Sequence, residues 1–377
     1  MGFLVDGILA VTWQQIVMWA VGGVLIYLAI KKDFEPALLL PMGFGAILVN
    51  LPSTGLLDQI MPGIGKVEGF IDILFNAGIA NELFPLLLFI GIGAMIDFGP
   101  LLSNPKMMFF GAAAQFGIFF TLSMASLLGF SLKDAASIAI IGAADGPTSI
   151  LVSNILGSSY MGAIAVAAYS YMALVPIVQP MAIRLVTTKK ERMIRMPYQP
   201  KSVSRRARIL FPIIVSVIAG LVAPASSPLV GCLMFGNLIR ECGRLESLSE
   251  TAQKVLANLV TLLLGFTIAA RMRADQFVTV ETILIMCLGL VAFVFDTIGG
   301  VLFAKIINLF SKEKINPMIG AAGISAFPMS ARVVQKMGLK EDPSNHLLMH
   351  AVGANVSGQI ASVIAGGLII DIVSKMI

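Results

Sequence analysis

The residue best suited to chemistry is Asp145, a single carboxylate inside the apolar run 138–150. A charge at membrane depth costs roughly 2.5–3.5 kcal/mol on insertion scales, so an acid there usually has a function. Gly142, Gly146 and Pro147 stand beside it and predict that a helix breaks at this point. Lipid cannot satisfy the backbone groups that a break exposes, so we expect this segment to line a polar cavity inside the protein. A carboxylate next to free carbonyls is suited to bind a cation.

The composition indicates a membrane protein, as this argument requires. The chain has 377 residues, of which 57% are hydrophobic and 12% charged, whereas soluble domains carry roughly twice that charged fraction. Apolar windows close to the spanning length of about 20 residues recur along the whole chain. The uninterrupted windows are 9–30, 36–52, 83–98, 107–130, 161–183, 209–230, 255–270, 281–309 and 346–373, and two that Gly and Pro interrupt are 134–156 and 316–334. We therefore predict an all-α, multi-pass protein of the cytoplasmic cell membrane, with about ten or eleven membrane segments.

The formal net charge of +5 is concentrated in one loop near the middle of the chain. Between Arg184 and Arg208 a single acid, Glu191, is outnumbered by basic residues, which are Lys189, Lys190, Arg192, Arg195, Lys201, Arg205 and Arg206. The positive-inside rule makes this loop cytoplasmic, and we interpret it as a linker, 185–208, between two halves. A surface for anionic lipid or a soluble partner is the alternative. We expect no nucleic acid partner.

The two halves contain similar segments in the same order. The apolar run 86–97 corresponds to 262–272, and the break 141–147 corresponds to 319–328, which has another Gly-Ala-Ala and ends at a proline. Matching breaks in two weakly similar halves are typical of transporters built from repeats, whose site lies where the breaks meet. We expect the repeats to be inverted, because midplane sites usually arise that way. The predicted parts are membrane segments 1–82, a first repeat 83–184, the linker 185–208, connecting membrane segments 209–252 and a second repeat 253–377.

Polar residues at the second break and beyond it offer further oxygen ligands. Asn316 and Ser325 belong to the second break, and Asn355 and Ser357 lie in the last apolar window. With the Asp145 carboxylate they form a ligand set for a hard cation, and the low charge count favours a monovalent ion, Na+, over calcium. The alternative for Asn355 and Ser357 is a hydrogen bond between packed helices.

Four other residues are further candidates for the site. Arg332 lies just beyond the second break, where a guanidinium either grips a substrate carboxylate in bidentate fashion or marks a cytoplasmic helix end. Asp296, inside the window 281–309, is either a second ion ligand or the partner of an arginine. Tyr169 and Tyr171 bring phenols into the helix after the first break, and a phenol can relay a proton.

The sequence predicts no transition-metal site. Cys232, Cys242 and Cys287 lack metal-ligand spacing. His346 and His350 are four residues apart, which suits a metal on a helix, but no third ligand accompanies them.

Two segments give the chain a resemblance to a known family. They are Gly-Ala-Ala-Asp-Gly-Pro-Thr at 142–148 and Asn-Pro-Met-Ile-Gly-Ala-Ala-Gly-Ile-Ser-Ala-Phe-Pro-Met-Ser-Ala-Arg at 316–332. Both resemble the β subunits of the biotin-dependent, sodium-pumping decarboxylases, which include oxaloacetate, methylmalonyl-CoA and glutaconyl-CoA decarboxylases. The resemblance implies a membrane subunit that decarboxylates carboxybiotin with uptake of a proton and couples this reaction to Na+ export. Na+ and biotin are therefore the implied cofactors.

The resemblance also implies roles for individual residues. Asp145 is similar to the family's sodium-binding and coupling acid, and Asn355 to a fellow ligand. Further positions match those that the family needs for sodium binding, proton delivery or carboxybiotin handling, and these are Tyr171, Asn316, Gly320, Ser325 and Arg332. Among them, Ser325 and Arg332 are the candidates for contact with carboxybiotin. The roles of Asp296 and Ser357 stay open.

The resemblance implies partner chains as well. This chain has no Ala-Met-Lys-Met biotinylation site, so the biotin is expected on a carrier and carboxyltransferase subunit, with a small membrane-anchor subunit and a homo-oligomeric membrane core. Composition and spacing alone indicate only an ion-coupled transporter. The alternative function is accordingly a stand-alone Na+/H+ antiporter or Na+-coupled transporter with inverted repeats.

Overall fold

The computed structural model describes residues 7–32, 35–52, 54–61, 63, 65–197 and 202–376. Nearly all of its regular structure is helical, with one small antiparallel hairpin of β1 (Asp58–Met61) and β2 (Gly65–Glu68). The first half contains α1 (Trp13–Lys32), α2 (Pro36–Val49), α3 (Phe70–Phe75), α4 (Leu83–Met95), α5 (Gly99–Ser103), α6 (Met108–Ala113), α7 (Phe116–Leu127), α8 (Leu132–Ala139), α9 (Gly146–Ile155) and α10 (Met161–Val186).

The second half begins in the linker. It contains α11 (Lys189–Arg192), α12 (Arg205–Val222), α13 (Ser227–Glu241), α14 (Glu246–Glu250), α15 (Ala257–Ile268), α16 (Ala274–Phe277), α17 (Val280–Phe310), α18 (Met318–Ala321), α19 (Met329–Glu341) and α20 (Leu348–Val373).

The prediction of an all-α, multi-pass membrane protein is confirmed. Within the described ranges, five helical segments are long and apolar enough to cross a membrane, or seven if two bent pairs each count as one span. Side chains such as Leu221 and Phe310 point outward and are mostly exposed, as expected of a surface that faces lipid. Several predicted spans are shorter or broken: the window 209–230 covers α12 and only the start of α13, and the window 107–130 breaks between α6 and α7.

The interrupted window 134–156 forms a hairpin that returns to the side from which it came. A 3-10 turn, Ile140–Ala143, separates α8 from α9. The two ends of the hairpin meet at its base, where Lys133 Nζ donates to the Gly157 carbonyl at 3.2 Å and Asp134 Oδ1 accepts from Ser158 Oγ at 2.8 Å. We call this segment, 132–157, the first hairpin.

The second interrupted window folds in the same manner from the linker side. Asn316, before α18, donates to the carbonyls of Arg192 and Ile194, both at 2.8 Å. Asp342, after α19, accepts from Arg195 Nε at 2.6 Å. Both ends therefore lie against the linker, and we call this segment, 316–342, the second hairpin.

Helix α17 relates the two hairpins. Its 31 residues extend over about 46 Å at 1.5 Å per residue. Thr282, in its first turn, lines a small cavity with Ser158 and Tyr160 at the base of the first hairpin. Near its other end, Lys305 forms an ion pair with the linker residue Glu191 at 3.0 Å. The bases of the two hairpins therefore lie at opposite ends of α17.

The tips of both hairpins reach the middle of α17. A Cβ at Gly142, in the first tip, would lie 2.6 Å from Asp296 Oδ2, and a Cβ at Gly320, in the second hairpin, would lie 1.9 Å from the carbonyl oxygen of Gly300. Glycine is required at both positions because helix and turn approach so closely. The two predicted breaks are thus brought together near the centre of the molecule.

Candidate functional site

The backbone at the first tip places the Asp145 side chain. Ala144 has a left-handed conformation, with φ of 52°, which is unusual for a residue with a Cβ and is found where surrounding structure enforces it. Asp145 then serves as the N-cap of α9, since its Oδ1 accepts the Thr148 N–H at 3.3 Å. The next residue, Gly146, has no room for a side chain, because a Cβ there would lie 2.2 Å from a ring carbon of Tyr169. The carboxylate is buried, at 3% exposure.

The second oxygen of Asp145 lies among polar side chains from three segments. Its Oδ2 accepts from Thr148 Oγ1 at 2.7 Å, Ser362 Oγ at 2.8 Å and Ser325 Oγ at 3.2 Å. Gln359 Nε2 lies 3.4 Å away, and the two serine hydroxyls are 3.0 Å apart. We call these five side chains the Asp145 cluster.

This cluster is a suitable ligand set for a hard monovalent cation. It combines one carboxylate oxygen, three hydroxyl oxygens and an amide, and hydroxyls can turn a lone pair toward a cation as readily as they donate a proton. In the part of the chain that the structure describes, no lysine, arginine or histidine forms an ion pair with Asp145. A buried carboxylate without such a partner requires a bound cation or a proton for charge balance.

The two hairpin tips touch at this cluster. The Ser325 N–H donates to the Ala143 carbonyl at 3.0 Å, so the second tip is hydrogen bonded to the turn before Asp145. Asn355, on α20, donates from Nδ2 to the Ile324 carbonyl at 2.7 Å, and its buried Oδ1 has no partner among the described residues. Ser325 and Asn355 thus lie at the tip contact, as the ligand hypothesis requires.

The other candidates from the sequence lie elsewhere. The Asn316 amide is hydrogen bonded to the linker, and its Oδ1 accepts the Met318 N–H at 3.1 Å. Gly320 packs on Gly300. Ser357 accepts the Gly111 N–H at 3.1 Å and donates to the Met107 carbonyl at 2.9 Å, which joins α20 to α6.

Tyr171 and Arg332 also make no hydrogen bond to Asp145. The Tyr171 hydroxyl donates to the Met286 carbonyl on α17. Arg332 is exposed on α19, and its guanidinium forms no ion pair within the described residues. Tyr169 lies closer to the cluster, with its ring against Gly146.

Asp296 forms a separate polar centre on α17. Its Oδ1 accepts the Ile118 N–H at 3.1 Å, and its side chain is fully buried. Among the residues that the structure describes, no arginine forms an ion pair with Asp296, although a partnership with an arginine was one of its two predicted roles.

Three members of the Asp145 cluster were not selected from the sequence: Thr148, Gln359 and Ser362. Thr148 occupies the third helical position after an N-cap acid, where its N–H and hydroxyl both reach the carboxylate. Asn355, Gln359 and Ser362 are spaced i, i+4 and i+7, which places them on one face of α20. This polar stripe on an otherwise apolar helix is the sequence feature that could have identified Gln359 and Ser362 as site residues.

Comparison with known proteins shows the family of the chain. Residues 14–373 match the family model of the Na+-transporting oxaloacetate decarboxylase beta subunit. The chain belongs to this family. It is 48% identical over 368 residues to the glutaconyl-CoA decarboxylase subunit beta of Acidaminococcus fermentans, covering 98% of this chain and 96% of the relative. It is 48% identical over 370 residues to the methylmalonyl-CoA decarboxylase subunit beta of Veillonella parvula, with the same coverage.

The oxaloacetate branch of the family is also similar. The chain is 44% identical over an alignment of 425 residues to the oxaloacetate decarboxylase beta chain of Haemophilus ducreyi, covering 98% of each. The resemblance found in the sequence is therefore confirmed. This chain is a multi-pass membrane subunit of a Na+-transporting decarboxylase, as its family and its apolar helices show.

Proposed function

We propose that this chain decarboxylates carboxybiotin delivered by a biotin carrier subunit and couples that reaction, with consumption of a proton, to export of Na+. The observation that carries the proposal is the buried Asp145 cluster, which lies between the tips of two hairpins that enter from opposite ends of α17. A site in this position is reached from either side of the membrane when one hairpin moves relative to the other.

The Asp145 cluster supplies the coupling. An ionised, unpaired carboxylate at this depth is unfavourable by several kcal/mol, so its charge is balanced in turn by Na+ and by a proton. The two cations compete for the same oxygen, and release of one favours binding of the other. A proton that enters at Asp145 as Na+ leaves links proton uptake to Na+ export.

The substrate is an anion, and the linker side of the molecule offers cations to receive it. A cavity of about 720 Å³ lies beside the linker and is lined by three basic residues, Lys106, Arg195 and Lys314, and by one acid, Glu313. Arg332, exposed on α19, is the proposed ligand of the carboxybiotin carboxylate, because a guanidinium binds a carboxylate with two parallel hydrogen bonds. Arg332→Lys should then raise the KM for carboxybiotin more than the Na+ concentration for half-maximal rate, and the reverse order would remove Arg332 from the substrate site.

The proposed partners follow from the family. We expect a biotin carrier and carboxyltransferase subunit and a small membrane-anchor subunit to assemble with this chain, which forms a homo-oligomeric core in the lipid bilayer. Protonation of the biotin ureido group assists loss of carbon dioxide from its carbamate. Ser325 is the proposed donor of this proton. Tyr171, whose hydroxyl is hydrogen bonded to α17, is proposed to relay the proton to Ser325.

The experiment that tests the proposal is Asp145→Asn in the assembled complex. Asparagine keeps the N-cap oxygen but cannot carry the charge that binds Na+. We expect carboxyl transfer to biotin to persist, while decarboxylation of carboxybiotin and its stimulation by Na+ are lost. Asp275→Asn is the matched control, because Asp275 is exposed and its one ion pair in the described part of the chain is with nearby Arg273. Sodium-dependent decarboxylation at the wild-type rate in Asp145→Asn would contradict the assignment.

A second experiment separates this function from a stand-alone transporter. One chain supplies all five side chains of the Asp145 cluster, and this observation favours the stand-alone alternative. Purified chain in liposomes, without partners, should show no net 22Na+ accumulation driven by a proton gradient. Sustained gradient-driven exchange by the lone chain would support the antiporter instead.

A further inference from the structure

An unexpected break in an apolar helix leads to a second buried acid. The apolar segment Pro105–Leu127 is divided into α6 and α7, and Gln115 is the N-cap of α7. The first N–H groups of a helix have no full set of acceptors within it. At this break, the Ile118 N–H is shared between the Gln115 carbonyl at 3.2 Å and Asp296 Oδ1 at 3.1 Å, and Gly117 also donates to Asp296. Asp296 therefore caps α7 from a neighbouring helix.

The second oxygen of Asp296 has no such role. Asp296 is 0% exposed, and its Oδ2 has no hydrogen-bond partner in the described part of the chain. Gly142 of the first tip lies directly against this oxygen, since a Cβ there would come within 2.6 Å of it. The backbone that leads to Asp145 thus packs on an unpartnered carboxyl oxygen.

Within the described ranges, no side chain near Asp296 balances a negative charge. The segments that face it, 114–121 and 140–143, contain no titratable residue. From α10, Tyr171 contacts α17 at Met286 and Gly289, and its hydroxyl is already donated to a carbonyl. The N-terminus of α7 offers partial positive charge to Oδ1, but a single oxygen closely packed by Gly142 has no ligand shell for Na+, which takes several oxygens.

We propose that Asp296 is a second proton-binding site: it carries a proton on Oδ2 in this conformation and is linked through Gly142 to the turn that holds Asp145. A proton is the one cation that needs no ligand shell and makes the buried carboxyl neutral. Movement of the first tip away from α17 exposes Oδ2, so the affinity for this proton depends on the position of the first hairpin. The protonation state of Asp296 then depends on the conformation of the Asp145 site.

Infrared difference spectroscopy on the full chain tests the proposal without reference to catalysis. At neutral pH, subtraction of the Asp296→Asn spectrum from that of wild type should leave a positive carbonyl band of a protonated carboxylic acid, because the variant has lost this band. Asparagine retains an oxygen to accept the Ile118 N–H, so the helix cap is kept. Loss of carboxylate bands instead would show an ionised Asp296 that serves only as a helix cap, and would overturn the proposal.

Thr297→Val is the matched control. Thr297 is the next residue of α17, is 0% exposed and has a hydroxyl with no partner among the described residues. It should leave both the band and the pH profile of Na+-stimulated decarboxylation unchanged, whereas Asp296→Asn should shift that profile along the pH axis. An unshifted profile in Asp296→Asn would remove the link to the Asp145 site.

The wild-type chain gives an independent result if Asp296→Asn does not fold. A hydrophobic carbodiimide modifies protonated carboxyls in apolar surroundings, and peptide mass spectrometry locates the adduct. We expect modification of Asp296 at neutral pH that declines as the pH is raised. Absence of an adduct at Asp296, in chain modified at other buried acids, would count against a proton there.

Discussion

The two oxygens of Asp145 have different tasks. Oδ1 accepts one backbone N–H, which is all that an N-cap requires. Oδ2 lies within hydrogen-bond reach of Thr148, Ser325 and Ser362, more donors than the lone pairs of one oxygen can serve at once. A capping residue does not require this excess of polar groups around Oδ2, whereas the proposed cation site does.

Thr148→Val tests this distinction. The variant removes the hydroxyl from Oδ2 and keeps the backbone hydrogen bond to Oδ1. Because a hydrogen bond to a charged group is worth about 1.5–3 kcal/mol, the Na+ concentration for half-maximal decarboxylation should rise roughly tenfold or more. The measurement is the Na+ dependence of decarboxylation by the assembled complex.

Ser153→Ala serves as the control for Thr148→Val. Ser153 lies on the same helix, is equally buried, and donates only to the Ser149 carbonyl at 2.7 Å. It should leave the Na+ dependence unchanged. Equal Na+ dependence in Thr148→Val and Ser153→Ala would remove Thr148 from the ion site.

At the level of single residues, the sequence identified the acid but only part of its surroundings. Asp145 was predicted because a charge in an apolar run is costly wherever the run folds. Ser362 and Gln359 were not selected, because their contacts depend on how α20 packs against a tip more than 200 residues away in the chain. Asn316 was predicted as a ligand because it belongs to the second break, but its amide donates a hydrogen bond to the linker.

The hairpins are held together by close contacts between backbones. Gly320 packs on Gly300 of α17, and Gly323 packs on Gly358 of α20, where a Cβ at Gly358 would lie 2.0 Å from the Gly323 carbonyl oxygen. Small residues allow membrane helices to approach in this way. The second tip is therefore fixed from two directions, which holds Ser325 against Asp145.

Gly320→Ala should destabilise the chain. The added Cβ meets backbone rather than a flexible side chain, and overpacking of this kind costs typically 1–3 kcal/mol. We expect a melting temperature several degrees lower for the purified complex, measured by differential scanning fluorimetry. Gly231→Ala, on α13, is the matched control, since nothing lies within 4 Å of its Cβ position. An unchanged melting temperature for Gly320→Ala, with altered Na+ affinity, would instead support a direct role of Gly320 at the ion.

Breaks are predictable from sequence only where Gly and Pro mark them. Both hairpin segments were anticipated because Gly142, Gly146 and Pro147, and their counterparts after Asn316, cannot continue a helix. The break between α6 and α7 falls at Ala114 and Gln115, which are good helix formers. This break is caused by a tertiary contact, because Asp296 on α17 accepts a backbone N–H from the first turn of α7.

Across the whole molecule, the first part of the predicted linker, 185–197, is joined to the second hairpin and to α17 by ion pairs. Arg192 pairs with Glu341 at 2.8 Å and Arg195 with Asp342 at 2.6 Å, while Lys305 pairs with Glu191 at 3.0 Å. Its predicted topological role remains compatible with these contacts. The sequence could not show them, because each ion pair joins residues more than 100 positions apart.

Asp342→Asn should loosen the linker. The Arg195 hydrogen bond and the Ser344 N–H hold the pKa of Asp342 below its ordinary value, so the ionised form is the one that stabilises the contact. That contribution is present above the ordinary aspartate pKa and is lost as the pH falls through the lowered one. A spin label on Met193→Cys should report greater mobility in Asp342→Asn than in the parent at neutral pH, and the difference should vanish in acid.

Asp275→Asn provides the control for this measurement. Its partner, Arg273, lies two residues away in an exposed pair at 3.2 Å, far in sequence from the linker. Label mobility should match the parent. Equal mobility in all three chains would show that the Arg195–Asp342 pair does not fasten the linker.

We expect the Asp145 cluster to bind Na+, and direct binding can be measured without any partner subunit. Isothermal titration of the purified chain with NaCl at constant ionic strength should show saturable Na+ binding in wild type and in Ser153→Ala, and none in Asp145→Asn. Saturable binding in Asp145→Asn with the wild-type affinity would place the Na+ site elsewhere and contradict this account.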